Sequence, residues 1–112
     1  MEAMSHGIVP ITTRHTAMLD FIDDDNAIVV ETTRETIDRD DTAAGPATNL
    51  TWHRCSARDV AEALDKFSSL SKTQRSEMGR KARETIRQGF STEAVRILVS
   101  ERFDEMRSSF FS

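Results

Sequence analysis

A single cysteine, Cys55, stands in the 112 residues, so no internal disulfide can form and a reducing compartment is the simpler setting. Its thiol is expected to be buried and structural. No apolar run approaches the ~20 residues that span a bilayer, and the first residues lack the basic flank and apolar stretch of a signal peptide. The expected location is therefore cytoplasmic. His53 and Cys55 have no second ligand pair at a suitable spacing, which argues against tetrahedral zinc; His53 is expected to pack against Trp52 instead. Asp23, Asp24, Asp25 and Asn26 lack the alternating ligands and central glycine of a calcium loop. Asp38, Arg39 and Asp40 form an acid-any-acid triplet suited to a hard divalent cation, but no strand leads into it and it reads as solvated loop. Neither a metal nor a cofactor is expected. Aromatic residues are missing between Lys72 and Gly89, so the arginines and lysines there have nothing to stack on bases, and nucleic acid is not an expected partner.

What is present is a globular composition, 38% hydrophobic and 30% charged, with a modest core expected at this length. The formal charge of -4 is unevenly spread: residues 1–70 hold 6 basic and 13 acidic side chains, residues 71–96 hold 7 and 3. Along the chain, Glu2 to His6 read as the end of a helix closed by Gly7 in the left-handed position. Ile8, Val9, Ile11 and Thr12 then read as a buried strand. Ala17, Met18, Phe21 and Ile22 have helical spacing within residues 16–22, and residues 27–30 form a second buried strand. Residues 32–48 show no periodicity, carry acids from Glu35 to Asp41, and hold Gly45 and Pro46 together; a mobile loop is expected. Residues 49–53 offer a short third strand through Leu50 and Trp52.

The remainder predicts three helices. Ser56 with Asp59 and Ser71 with Gln74 have the spacing of capping boxes. Val60, Ala61, Ala63, Leu64, Phe67 and Leu70 give the first helix an apolar face; Met78, Ala82 and Ile86 do so for the second, which stops at Gly89. Ser91 caps the third, Glu93 favours its positive end, and Val95, Leu98, Val99, Phe103 and Met106 form its stripe. Strands alternating with helices predict a parallel sheet in the α/β class. Two or three strands are too few for a sheet buried on both faces, so further strands are expected ahead of Glu2, with an exposed edge prone to self-association.

The order of these segments resembles the C-terminal, donor-binding domain of retaining group 1 type GT-B glycosyltransferases. Glu2, Ala3, Met4, Gly7, Pro10 and Ile11 are similar to the family's helix and proline-containing strand. Asp20, Phe21 and Ile22, then Asn26, Ala27, Ile28, Val29 and Val30, resemble its next acid-aliphatic and strand segments. Asp59, Ala61, Ala63 and Leu64 resemble the helix after its variable loop. Met78 to Arg83, Phe90 and Ser91 resemble its late segments. Pro10 lies one position later than in the commonest form, and Ala27 replaces a glycine.

The resemblance implies a partial Rossmann-like half-domain of two or three parallel strands with a helical tail. It would form one partial domain over residues 1–112, with the strand region in residues 1–55 and the closing helices in residues 56–112. It implies a parent enzyme that moves a hexose from a nucleoside diphosphate sugar to a carbohydrate or lipid-linked acceptor. Glu2 matches the second glutamate of a pair separated by seven residues and is the expected nucleotide-sugar-binding residue, accepting from the ribose hydroxyls. The other glutamate, the glycine-rich loop and the diphosphate-binding basic residues would precede residue 1, so the isolated chain is expected to be inactive. His6 and His15 read as surface or turn residues, within reach of a phosphate or acceptor in a complete enzyme. The rival reading is a non-enzymatic helical module whose basic helix contacts anionic partners; a peripheral membrane-surface contact is compatible with both.

Overall fold

The computed structural model describes residues 1–39 and 47–111. Gly45, Pro46 and Asp40 of the acidic triplet lie outside the described residues. The chain is a mixed α/β protein. It runs through α1 (Glu2–Ser5), β1 (Ile11–Thr13), a 3₁₀ turn (Thr16–Asp20), β2 (Ile28–Val30), β3 (Thr33–Arg39), β4 (Ala47–Arg54), α2 (Ala57–Ser69), α3 (Lys72–Gly89) and α4 (Thr92–Phe111).

β1 and β2 pair in parallel, with Ile11 opposite Ile28, Thr12 opposite Val29 and Thr13 opposite Val30. Both strands are only three residues long, so their burial has to come from helices. β2 divides its side chains between two apolar clusters, as a strand with period two must. Ile28 and Val30 point to Ala63 and Phe67 of α2, with Leu70, Met78, Val9 and Ile11 packed around them. On the opposite side, Ala27 and Val29 meet Met4 of α1, Ala82 and Ile86 of α3, and Ile22, Phe21 and Phe90. Ile28 is fully buried, which is worth about 2–3 kcal/mol in apolar transfer alone. This explains the uninterrupted apolar run of β2: neither face is left to water.

Gly7 closes α1 at φ 75°. Left-handed backbone of this kind suits glycine because it has no Cβ. Gly7 also touches α3, where the backbone of Gly79 lies so close that a Cβ there would overlap the Gly7 carbonyl oxygen. The α1–α3 packing is thus a backbone-to-backbone contact, and Met4, buried to 1% exposure, inserts beside it.

Both predicted capping boxes form. Ser56 Oγ accepts from the Asp59 amide while the Asp59 carboxylate accepts from the Ser56 amide; Ser71 and Gln74 do the same. Gly89 is the last residue of α3, and Ser91 Oγ accepts from the Ala94 amide at the start of α4. Arg75 bridges α2 and α3, its guanidinium lying 4.7 Å over the Phe67 ring and donating to the Ser68 carbonyl at 2.8 Å.

Five expectations need correction. Residues 32–48 are not a loop throughout, since residues 33–39 form β3, which pairs antiparallel with β4 and carries a register shift between Ile37 and Arg39. The hairpin is held by cross-strand polar pairs, Arg34 to Thr51 at 3.3 Å and Arg54 to Glu35 at 3.5 Å, so it lacks the apolar alternation by which strands are recognised. Consequently the third strand does not join the parallel sheet, which has two strands, but belongs to this separate hairpin. Cys55 is exposed rather than buried, because it is the single residue between the end of β4 and the α2 cap, Ser56. His53 does not pack on Trp52: neighbours on a strand point to opposite faces, and Trp52 is 56% exposed. The apolar face expected on α2 is also narrower than its spacing implied, since Val60 and Leu64 remain exposed while Ala63, Phe67 and Leu70 turn inward.

Candidate functional site

Glu2 lies exposed on the first and only turn of α1. Its backbone carbonyl accepts from Ser5 Oγ at 2.6 Å. Among the described residues its carboxylate enters no hydrogen bond or ion pair, so its oxygens remain available as acceptors. A carboxylate presented this way can take two vicinal hydroxyls at once, provided a ligand is brought to it by other groups.

A second cluster gathers where β1 and β2 end together, at Thr13 and Val30. In open α/β sheets the carboxyl ends of the strands are where ligands bind, because loops diverge there and leave a crevice. Arg14, His15 and Thr16 follow β1 at this edge, and Thr32 follows β2. Thr16 has φ 52°, an uncommon conformation for a β-branched residue. Its hydroxyl lies 3.4 Å from His15 Nδ1. His15 in turn stacks flat on His53 of β4, with ring centroids 4.6 Å apart and planes 9° from parallel. Thr32 Oγ1 lies 3.2 Å from His53 Nδ1. Arg14 reaches Asp24 at 3.7 Å.

The structure therefore assembles His15 with His53, a pairing that sequence spacing did not suggest, since 37 residues separate them. It does not join Glu2 to this cluster by any hydrogen bond or ion pair among the described residues. His6 is exposed on the α1–β1 turn.

The acids after the 3₁₀ turn are used locally. Asp23 Oδ1 accepts from the amides of Asp25 at 2.8 Å and Asn26 at 3.0 Å. Buried Asn26 donates to the Phe21 carbonyl at 2.9 Å and to Thr85 at 3.2 Å, while its own oxygen accepts from the Asp23 amide. This network ties the turn before β2 to α3. Among the described residues no group of three or more His, Cys, Asp or Glu side chains converges to hold a metal ion.

On the basic helix α3, Arg80 grips both oxygens of Glu77, at 2.7 and 3.0 Å, and also donates to Glu84 at 2.8 Å. The hydrogen bond with Arg80 holds the Glu77 carboxyl below its ordinary range. That pairing spends part of the helix's positive charge within the helix. Arg83 and Arg87 line the shallow groove beside it. No described helix is long and apolar enough to cross a membrane. Set against known proteins, the chain matches no family model, no curated protein and no solved structure.

Proposed function

We propose that this chain is the closing part of a nucleotide-sugar-binding domain of the retaining group 1 GT-B type, in which Glu2 engages the ribose of a nucleoside diphosphate sugar. What supports it is the parallel β1–β2 pair, with helices against both faces and α1 entering β1 through the left-handed turn at Gly7. That arrangement fits the outer strands of a doubly wound sheet, whose ligands lie at the strands' carboxyl ends. Under this reading the sugar-facing glutamate and the diphosphate-binding groups belong to sequence ahead of Glu2. The present residues supply orientation of the donor, not transfer.

The contribution of Glu2 is a pair of charge-assisted hydrogen bonds, together worth about 1.5–3 kcal/mol, or roughly 10- to 100-fold in affinity. Ligand-observed NMR with uridine and guanosine diphosphate sugars tests this on the intact chain. One of the two is expected to bind weakly, at millimolar concentration, and Glu2→Gln is expected to abolish the signal. Equal binding by both variants, or none by the wild type, overturns the assignment.

A further inference from the structure

We infer that the exposed stripe of α4 is a docking face for an anionic lipid surface, its apolar side chains set at the acyl boundary and its arginines on the headgroup phosphates. Val95, Val99, Phe103, Met106 and Phe110 succeed one another at steps of four, four, three and four residues, so they line one side of the helix along its length. All five are exposed, and neither apolar cluster takes a residue from α4. Leu98 widens the stripe, while Ile97 and Phe111 lie off it. The charges of the helix are sorted around this stripe. Residues three, four or seven apart share a helix face. Arg102 stands three after Val99 and four before Met106, Arg107 four after Phe103 and three before Phe110, and Arg96 three before Val99. None of the helix's acids, Glu93, Glu101, Asp104 and Glu105, stands at any of those spacings from a stripe residue. All three arginines of α4 therefore edge the stripe, and the acids occupy the far side.

That border selects the occupant. A second copy would bring one arginine-edged stripe against another, like charge beside like, so pairing in water is the weaker use of this face. A layer of anionic headgroups supplies opposite charge along both edges, while the acyl boundary beneath it takes Phe103, Met106 and Phe110, the arrangement of a helix lying in the plane of a membrane. The helix rests on such a surface and does not cross it, since no described helix is long and apolar enough. Arg96 and Arg102 are engaged within α4 by Glu93 at 2.6 Å and Glu105 at 2.8 Å, but both pairs are exposed, and such pairs hold weakly. Arg107 is exposed and has no ion-pair partner among the described residues. The chain's formal charge of -4 does not oppose docking from a distance, because at physiological salt a charge is screened within about 8 Å. Each arginine held at an anionic surface raises the partition about fivefold.

The test is flotation of the full chain with vesicles of pure phosphatidylcholine and of phosphatidylcholine mixed with phosphatidylglycerol. The wild type is expected to float with the mixed vesicles, to bind the pure ones weakly, and to lose the difference as salt is raised. Arg96→Gln, Arg102→Gln and Arg107→Gln together are expected to lower binding to mixed vesicles roughly a hundredfold and to leave the weak binding to pure vesicles in place. Phe103→Ser with Phe110→Ser is expected to lower binding to both by about tenfold or more. The replaced side chains are all exposed, and helical circular dichroism checks that each variant is folded. Arg83→Gln with Arg87→Gln removes charge from α3 instead and is expected to leave binding unchanged. No binding by the wild type, equal binding to both vesicle types at low salt, or binding that follows the α3 arginines overturns the assignment. So does a chain that pairs with itself through α4 and ignores mixed vesicles.

Discussion

At the scale of single residues, the fold depends most on positions that place backbone against backbone. Gly79 is the clearest, because a methyl group there would collide with the Gly7 carbonyl oxygen, part of a turn that cannot shift without losing its left-handed geometry. Gly79→Ala is expected to destabilise the protein by about 3 kcal/mol, the upper end for overpacking, and to free Met4 from its pocket; urea denaturation measures it. An unchanged midpoint would show that α1 is not docked on α3. Asn26 matters instead through its buried side-chain amide. Replacing it with Leu strands the Phe21 carbonyl and the Asp23 amide without their partner and takes a donor from Thr85, whose hydroxyl keeps its bond to the Lys81 carbonyl, for an expected loss of about 2–3 kcal/mol in the same experiment. Gly7 was legible in the sequence because local backbone geometry selects glycine there, whereas Gly79, His15 and His53 were not. Their roles come from contacts across the chain, and single residue types carry no record of distant neighbours.

At the scale of elements, legibility followed how local each signal is. The three long helices carry their start signals within four residues, and those signals, at Ser56, Ser71 and Ser91, form the bonds that their spacing predicts. Ser71→Ala is expected to cost about 1 kcal/mol by removing the acceptor for the Gln74 amide, read from the thermal midpoint. At the α2 start, hydrogen bonds from the Ser56 hydroxyl and amide hold the Asp59 carboxyl below the ordinary carboxylate range. A depressed folded value means that the capping contribution is present above about pH 4 and is lost as the pH falls through the lower, folded value. Amide protection in the first turn of α2, taken against the intrinsic exchange rate at each pH, should therefore fall on acidification below pH 4 in the wild type. In Asp59→Asn it should not change with pH over that range; a flat wild-type protection profile would remove Asp59 from the cap. The hairpin escaped prediction for the opposite reason. Its stability lies in cross-strand pairs such as Arg34 with Thr51, which leave no apolar rhythm in either strand, and the acids from Glu35 onward resemble a solvated loop.

At the scale of the whole molecule, the radius of gyration is 19.4 Å, well above the about 13 Å of a compact chain of this length. Two elements contribute nothing to the apolar clusters: the β3–β4 hairpin, which forms its own sheet, and α4, which buries no residue and keeps Leu98, Phe103, Phe110 and Phe111 exposed, at 59%, 62%, 83% and 86%. By contrast, β1, where the sheet's exposed edge was expected to drive association, has only half-buried residues. Apolar surface in contact with water is what favours association, so the contact should follow α4 rather than the strand. Removing residues 92–112 is expected to leave the urea midpoint of the remaining fold within about 0.5 kcal/mol, since the two apolar clusters draw nothing from α4. The same deletion should lower the radius measured by small-angle X-ray scattering and abolish concentration-dependent association in sedimentation. Association that survives the deletion would return the contact to the edge of β1, and a collapse in stability would mean that α4 covers part of the core.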